Sequence, residues 1–289
     1  MSDLVYKHFR LDEMEYQFNP RVSVNNYPEF VEKRARASQA TRAKLKSFCN
    51  VPYGETPGAV LDIFPADQVK SPVQLYIHGG YWRGGSKDSY SFIAEPFVAA
   101  GVTMVVLEYD LCPQVTVQDI VHQARSGIAW CYQNISRYGG DPDQLFISGS
   151  SAGGHLVAMA LNHDWATADL PPNTIKGAVA ITGVYDLDPV FHVSVNEDIR
   201  LTEEVARDCS PMIHPPYNHT PLVIAVGQSE TPGWIQMSRD FYTLCSGQGI
   251  ECGYLEVPGT HHFSVSAQLG DPNSIMTKTV LEQMGIEGP

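Results

Sequence analysis

Ser151, in the run Gly149-Ser150-Ser151-Ala152-Gly153, is the residue in this sequence best placed to act as a nucleophile. A hydroxyl attacks a carbonyl when a base takes its proton and when N–H donors await the oxygen that turns negative. The flanking residues argue for such a placement. Residues 145–148 read as a buried strand, and Leu156, Val157 and Ala158 read as the start of a helix, so Ser151 falls on a sharp strand-to-helix turn. A Cβ at Gly149 or Gly153 would crowd that turn. Ala152 would open the helix with its amide free to face an incoming carbonyl oxygen. Small-residue turns of this composition also occur as plain loops, so the partners must decide.

Three other stretches supply those partners. The apolar run 73–77 ends in His78-Gly79-Gly80-Tyr81-Trp82-Arg83-Gly84-Gly85. So many glycines directly after a strand mean backbone that approaches something closely, and Gly79 and Gly80 can lend a second amide to an oxyanion hole. Residues 221–226 read as a strand that empties into Gly227-Gln228-Ser229-Glu230, making Glu230 the acid candidate. The last strand, 252–257, empties into Pro258-Gly259-Thr260-His261-His262-Phe263, where a base belongs. Nucleophile, acid and histidine thus follow in chain order, each after a strand. A neutral imidazole would take the serine proton while the carboxylate fixes its tautomer. Asp186 and Asp188 are rival acids but read better as turn residues of Gly183-Val184-Tyr185-Asp186.

The elements that must hold these residues alternate between strand and helix. Residues 28–48 read as an exposed helix with a thin apolar stripe, after a mixed, polar start through residue 26. A strand at 60–64, a helix at 88–100 and a strand at 103–109 follow. Residues 117–138 read as a long amphipathic helix with Ile120, Ala124, Ile128 and Trp130 facing inward. Strand 175–181, helix 233–247 and helix 273–284 complete the pattern. This alternation implies one α/β domain over 1–289, a mostly parallel sheet with helices on both faces. Residues 183–217, rich in proline, read as a small irregular cap, and residues 1–50 as an N-terminal helical segment.

Composition excludes several classes. A net charge of −13 in 289 residues argues against nucleic-acid or anionic-membrane partners. No basic and apolar leader opens the chain and no apolar run approaches ~20 residues, so the expectation is a cytoplasmic protein. The cysteines at 49, 112, 131, 209, 245 and 252 lack zinc-ligand spacing and read as free thiols. Ten histidines without HExxH give no metal pattern, and the proposed chemistry calls for neither metal nor cofactor.

Taken with His78-Gly79-Gly80-Tyr81-Trp82, residues 109–114 (YDLCPQ), Gly149 to Gly154, Gly183-Val184-Tyr185-Asp186-Leu187 and His262-Phe263, the chain resembles the kynurenine formamidase (arylformamidase) branch of the α/β-hydrolases. That branch lies near the hormone-sensitive-lipase-like esterases. The resemblance implies Ser151 as nucleophile, His262 as base, and Gly79, Gly80 and Ala152 as the oxyanion-hole region. It leaves His261 a structural part. Glu230 departs from the aspartate usual in such formamidases. The implied substrate is a formamide or small acyl group on an aromatic amine or alcohol. Tyr81 and Trp82 would lie near the acyl site, and Tyr185, Phe191 or Tyr217 near the ring. A general short-chain carboxylesterase and a non-catalytic binding relative are the alternatives, and a homodimer is left open.

Overall fold

The computed structural model describes residues 4–216 and 219–286. The chain opens with a hairpin, β1 (Leu4–Tyr6) and β2 (Phe9–Arg10), followed by α1 (Leu11–Phe18), α2 (Pro20–Ser23) and α3 (Tyr27–Lys44). Residues up to 26 read as mixed and polar within an N-terminal helical segment. What orders them is one apolar face: Met14 and Phe18, four apart on α1, are fully buried, and Phe18 meets Phe9 edge-on at 5.7 Å. α3 docks by polar and ring contacts together, with Tyr27 stacked on Phe263 at 5.6 Å. Ser38 accepts from the Phe92 amide and Thr41 donates to Glu95.

Strands β3 (Phe48–Pro52), β4 (Val60–Phe64) and β5 (Ser71–Ile77) then enter one sheet. A continuous helix over 88–100 does not form. Two 3₁₀ turns, Lys87–Ser89 and Ser91–Ile93, precede a short α4 (Ala94–Ala99). Pro96 is the reason: it fits a helix's first turn but would break the interior of a helix begun at 88. After β6 (Thr103–Leu107), α5 (Val117–Asn134) starts on a capping box of Thr116 and Asp119 and tightens to 3₁₀ over Ile135–Tyr138. Ile120, Ala124 and Ile128 are buried as expected, whereas Trp130 is only half-buried. Next come β7 (Gly140–Ser150), α6 (Ala152–Leu161), β8 (Gly177–Ile181), α7 (Asn196–Ile199) and α8 (Glu203–Asp208). The chain closes with β9 (Leu222–Gly227), α9 (Pro232–Gly247), β10 (Cys252–Val257), α10 (His262–Ala267) and α11 (Ile275–Gln283).

The eight strands run in the order β10-β9-β8-β7-β5-β6-β4-β3, parallel from β10 to β6, with β4 and β3 antiparallel at one edge. One core lies on each face: Leu75, Ile77 and Ile147 point to one, Tyr76, Val106 and Val179 to the other. Chain order reverses between β5 and β7, which lie side by side: β5 leads to β6 on one flank and β7 to β8 on the other. A crevice opens at the carboxyl ends of strands at such a switch point. The loops that leave β5 and β7 there carry Gly79-Gly80 and Ser151. All six cysteines are free, with only Cys49 exposed.

Candidate active site

Ser151 stands on the turn between β7 and α6 with φ 57° and ψ −119°, a conformation that costs a non-glycine residue roughly 1–3 kcal/mol. Two backbone bonds hold it there. Its amide donates to the Ile181 carbonyl at 2.9 Å, and its carbonyl accepts from the His155 amide at 3.0 Å. The glycines are required by contact: a Cβ on Gly153 would sit 2.0 Å from the Ile77 carbonyl oxygen, and one on Gly149 2.5 Å from the Gly153 oxygen. Both obstacles are backbone. Gly153→Ala is therefore expected to destabilise the fold at the upper end of the ~1–3 kcal/mol typical of overpacking. Thermal unfolding checks this, and an unchanged Tm would show that the turn can yield.

The loop after β5 packs directly on that serine. A Cβ at Gly79 would lie 2.9 Å from the Ser151 Cβ, so only glycine lets the Gly79-Gly80 backbone come this near. His78 anchors the loop. Its ring stacks on Tyr109 with centroids 4.3 Å apart, its Nε2 meets Glu108 Oε1 at 2.6 Å and its Nδ1 meets the Gly79 carbonyl at 2.8 Å. The Tyr109 hydroxyl donates back to the His78 carbonyl at 2.8 Å. Burial alone would raise the Glu108 carboxyl, but bonds from His78 and from the Lys87 and Tyr109 amides hold it below the usual carboxylate range. Ala152 is the first residue of α6, where an amide has no intrahelical acceptor.

β9 and β10 end in register, Gly227 beside Val257, and the two loops beyond them interlock. The Ser229 amide donates to the Thr260 carbonyl and the Gln228 amide to that of Val257, at 2.8 and 3.0 Å. Glu230 turns back so that Oε1 accepts the Gly227 amide at 3.1 Å while Oε2 meets His262 Nδ1 at 2.7 Å. His262 and Ser151 line one cavity of about 140 Å³, together with Gly79 and Gly80. His261 does something else: as the residue before α10 its Nδ1 accepts the Phe263 amide at 3.3 Å, and its ring meets Phe30 edge-on at 4.8 Å. Burial pushes its pKa down, which favours the neutral ring an acceptor nitrogen requires. Asp186 accepts from the Tyr6 hydroxyl and the Asp188 amide, and neither aspartate lines the cavity.

The structure corrects two expected substrate contacts. Trp82 is fully buried, its indole donating to His155 Nδ1 at 3.2 Å, and it does not reach the cavity. Burial pushes the His155 pKa down to about 4, so a neutral ring takes this bond at Nδ1 while Nε2 meets the Cys209 carbonyl at 2.7 Å. Trp82 thus holds His155, which ties α6 to the Cys209 carbonyl in segment 183–216. Tyr185 is also fully buried, stacked on Phe241 at 4.2 Å with its hydroxyl bonded to the Ala180 carbonyl. Phe191 is half-buried against the core, and Tyr217 lies outside the described residues. Tyr81 does line the cavity, fixed by a 2.7 Å bond from its hydroxyl to the Phe18 carbonyl.

Most of the remaining wall was not anticipated. Asn19, Pro20, Arg21, Val31 and Arg34 come from α2, α3 and the residue before α2, whereas segment 183–216 contributes Val195. Their sequence signal was weak, because an arginine on a polar helix reads as solvated surface until the fold brings it over the crevice. His262 also faces a second cavity of about 130 Å³, shared with Glu230, Trp234 and Tyr16.

Comparison with known proteins bears on the family and the fold. The family described as BD-FAE matches residues 61–243. A kynurenine formamidase of Salmo salar is 34% identical over 97% of this chain and 98% of its own length. One of Danio rerio is 33% identical over 99% of each. This chain belongs to the arylformamidase-like family of α/β-hydrolases. It is a hydrolase, with activity of the serine-hydrolase type. A Silicibacter sp. crystal structure that carries a provisional thioesterase name superposes with a TM-score of 0.79, at 24% identity over 93% of this arylformamidase-like chain and 98% of that one, and shares its fold. Among the described residues, no helix is long and apolar enough to cross a membrane, and no three His, Cys, Asp or Glu are grouped to hold a metal ion.

Proposed function

We propose that the protein cleaves a formyl group from an aromatic amine or alcohol, a substrate of the N-formylkynurenine type, through an acyl-enzyme on Ser151. The Glu230–His262 bond, at the wall of the cavity that holds Ser151 on its strained turn, is the observation that carries this reading. Glu230 holds the Nδ1–H tautomer, leaving Nε2 to take the Ser151 proton as Oγ attacks the formyl carbon. The oxygen that turns negative meets the amides of Gly79, Gly80 and Ala152. Collapse breaks the carbon–nitrogen or carbon–oxygen bond, and His262 returns the proton to the leaving group. Water activated by the same imidazole then releases formate.

Formyl as the acyl group is supported by the relatives named kynurenine formamidase and by the fixed side chain of Tyr81. Tyr81 walls the cavity beside Ser151, and its 2.7 Å bond to the Phe18 carbonyl holds the ring against a longer acyl chain. Each added methylene in such a pocket costs ~1–3 kcal/mol of discrimination. Activity on matched aryl substrates is therefore expected to fall steadily from formyl to acetyl to butyryl. The kcat/KM series tests this. A preference for butyryl would favour a short-chain carboxylesterase and leave the roles of Ser151, His262 and Glu230 standing.

A further inference from the structure

α1 ends against the loop that carries Glu230. Carbonyls in the last turn of a helix have no partner within it, and two of those in α1 are taken up by the site. The Gln17 carbonyl accepts the Thr231 hydroxyl at 2.6 Å, and the Phe18 carbonyl accepts the Tyr81 hydroxyl. The Gln17 side chain adds a third bond: its Oε1 accepts the Gly233 amide at 2.9 Å. α9 needs that acceptor. Pro232 opens the helix without an amide N–H, so Gly233 carries the first one, and the Thr231 side chain, placed to accept it, makes no cap bond. Its hydroxyl is committed to Gln17 instead. Gln17 therefore caps α9 from a point 216 residues earlier in the chain. The close approach is built in, since a Cβ on Gly233 would lie 2.7 Å from the fully buried Phe18 ring.

We propose that Gln17 is a positioning residue for hydrolysis: by capping α9 it fixes the junction of Glu230, Thr231 and Pro232, and with it the carboxylate that orients His262. This rests on the proposed role of Glu230. The junction is short. Glu230 directly precedes Thr231, and its amide donates to the Gly227 carbonyl at 3.1 Å. Trp234 directly follows Gly233, and its ring packs on that of His262 with centroids 4.6 Å apart. Gln17 thus ties down both the residue that orients the imidazole and the ring that lies against it. Without its side chain the first amide of α9 has no acceptor, and the junction turns toward water to find one. A small displacement of an orienting group is enough to cost rate. Gln17 lines neither the cavity at Ser151 nor the second one at His262, so its influence passes through the loop and not through contact with substrate.

The test pairs Gln17→Met, which keeps the length of the side chain and loses its acceptor, with Gln17→Glu, which keeps an acceptor at the positive end of α9. Steady-state kinetics use the full-length enzyme and phenyl acetate, a substrate independent of the formyl reading. Gln17→Met should lower kcat about tenfold with KM moved less than about twofold, and Gln17→Glu should stay within about threefold of the parent kcat. The same Gln17→Met change is then made in Glu230→Gln. There it should alter kcat by less than about twofold, because the carboxylate it acts through is already gone. Thr231→Val removes the hydroxyl from the Gln17 carbonyl and should lower kcat in the same direction. It decides the matter if Gln17→Met fails to fold, an unchanged kcat then counting against Gln17. A parental kcat in Gln17→Met overturns the positioning role, and so does an equal loss in both backgrounds, which makes Gln17 a general support of the fold. Near-parental turnover in Glu230→Gln removes the role of Glu230 and that of Gln17 with it. A collapsed Glu230→Gln beside a normal Gln17→Met removes Gln17 alone.

Discussion

Ser151→Ala lowers turnover on any acyl substrate by roughly a millionfold, the loss that removal of a serine nucleophile brings when base and oxyanion donors remain. The residue count of the site is otherwise unchanged: Gly79, Gly80, Ala152 and the Glu230–His262 pair keep their places, so residual hydrolysis above water persists. The fold offers a second readout at the same position. Ser151 holds φ 57° through bonds to Ile181 and His155, and alanine is strained there just as serine is. Glycine is not. Ser151→Gly should therefore be about 1 kcal/mol more stable than Ser151→Ala, the strain relieved outweighing the extra freedom glycine brings to the unfolded chain. Steady-state kinetics and thermal unfolding of both variants check these outcomes. An alanine variant with more than trace activity would remove the turn from the chemistry, and a glycine variant no more stable than alanine would show that the turn stores no strain.

The parts of this site set by local sequence were legible before any coordinates. A strand, a sharp glycine-flanked turn and a helix are encoded within ten residues around Ser151, and strand-end positions for Glu230 and His262 follow from alternation alone. What failed was the reading of side-chain direction. Trp82 and Tyr185 are aromatics beside motifs, and nothing local distinguishes a ring aimed at a cavity from one that locks two segments together. Inside the core the Trp82 indole N–H is met by His155 and the Tyr185 phenol by the Ala180 carbonyl. Arg21 and Arg34 were illegible for another reason. They sit more than 100 residues before Ser151 on polar helices, and the docking of Phe18 against Phe9 and Trp234, with that of α3 against Phe92, Glu95 and His261, draws that segment over the crevice. Glu108 was hidden likewise, a carboxylate just past an apolar strand whose partner, His78, is set by the pairing of β5 with β6.

Glu230→Gln lowers kcat by about 10²- to 10⁴-fold, and the two hydrogen bonds of Glu230 explain why an isosteric amide cannot serve. Oε1 accepts the Gly227 amide at 3.1 Å and Oε2 meets His262 Nδ1 at 2.7 Å, so both positions call for an acceptor. Glutamine has only one. If its oxygen faces Gly227, its NH₂ faces Nδ1 and forces the ring into the Nε2–H tautomer, which cannot take a proton from Ser151. If its oxygen faces His262, its NH₂ opposes the Gly227 amide, and two donors meet in a buried site at a cost of ~1–3 kcal/mol. The first arrangement is productive for folding and wrong for catalysis, so the variant should fold with near-parental stability while kcat collapses and KM moves little. Glu230→Asp separates charge from reach. It keeps two acceptors but draws them back by one methylene, and activity between that of glutamate and glutamine is expected, with the Gly227 bond lost first. Kinetics of the two variants, with circular dichroism to confirm the fold, provide the measurement. Near-normal turnover in Glu230→Gln, together with an inactive Asp186 or Asp188 variant, would move the orienting carboxylate to the loop after β8 and leave Glu230 a brace for Gly227.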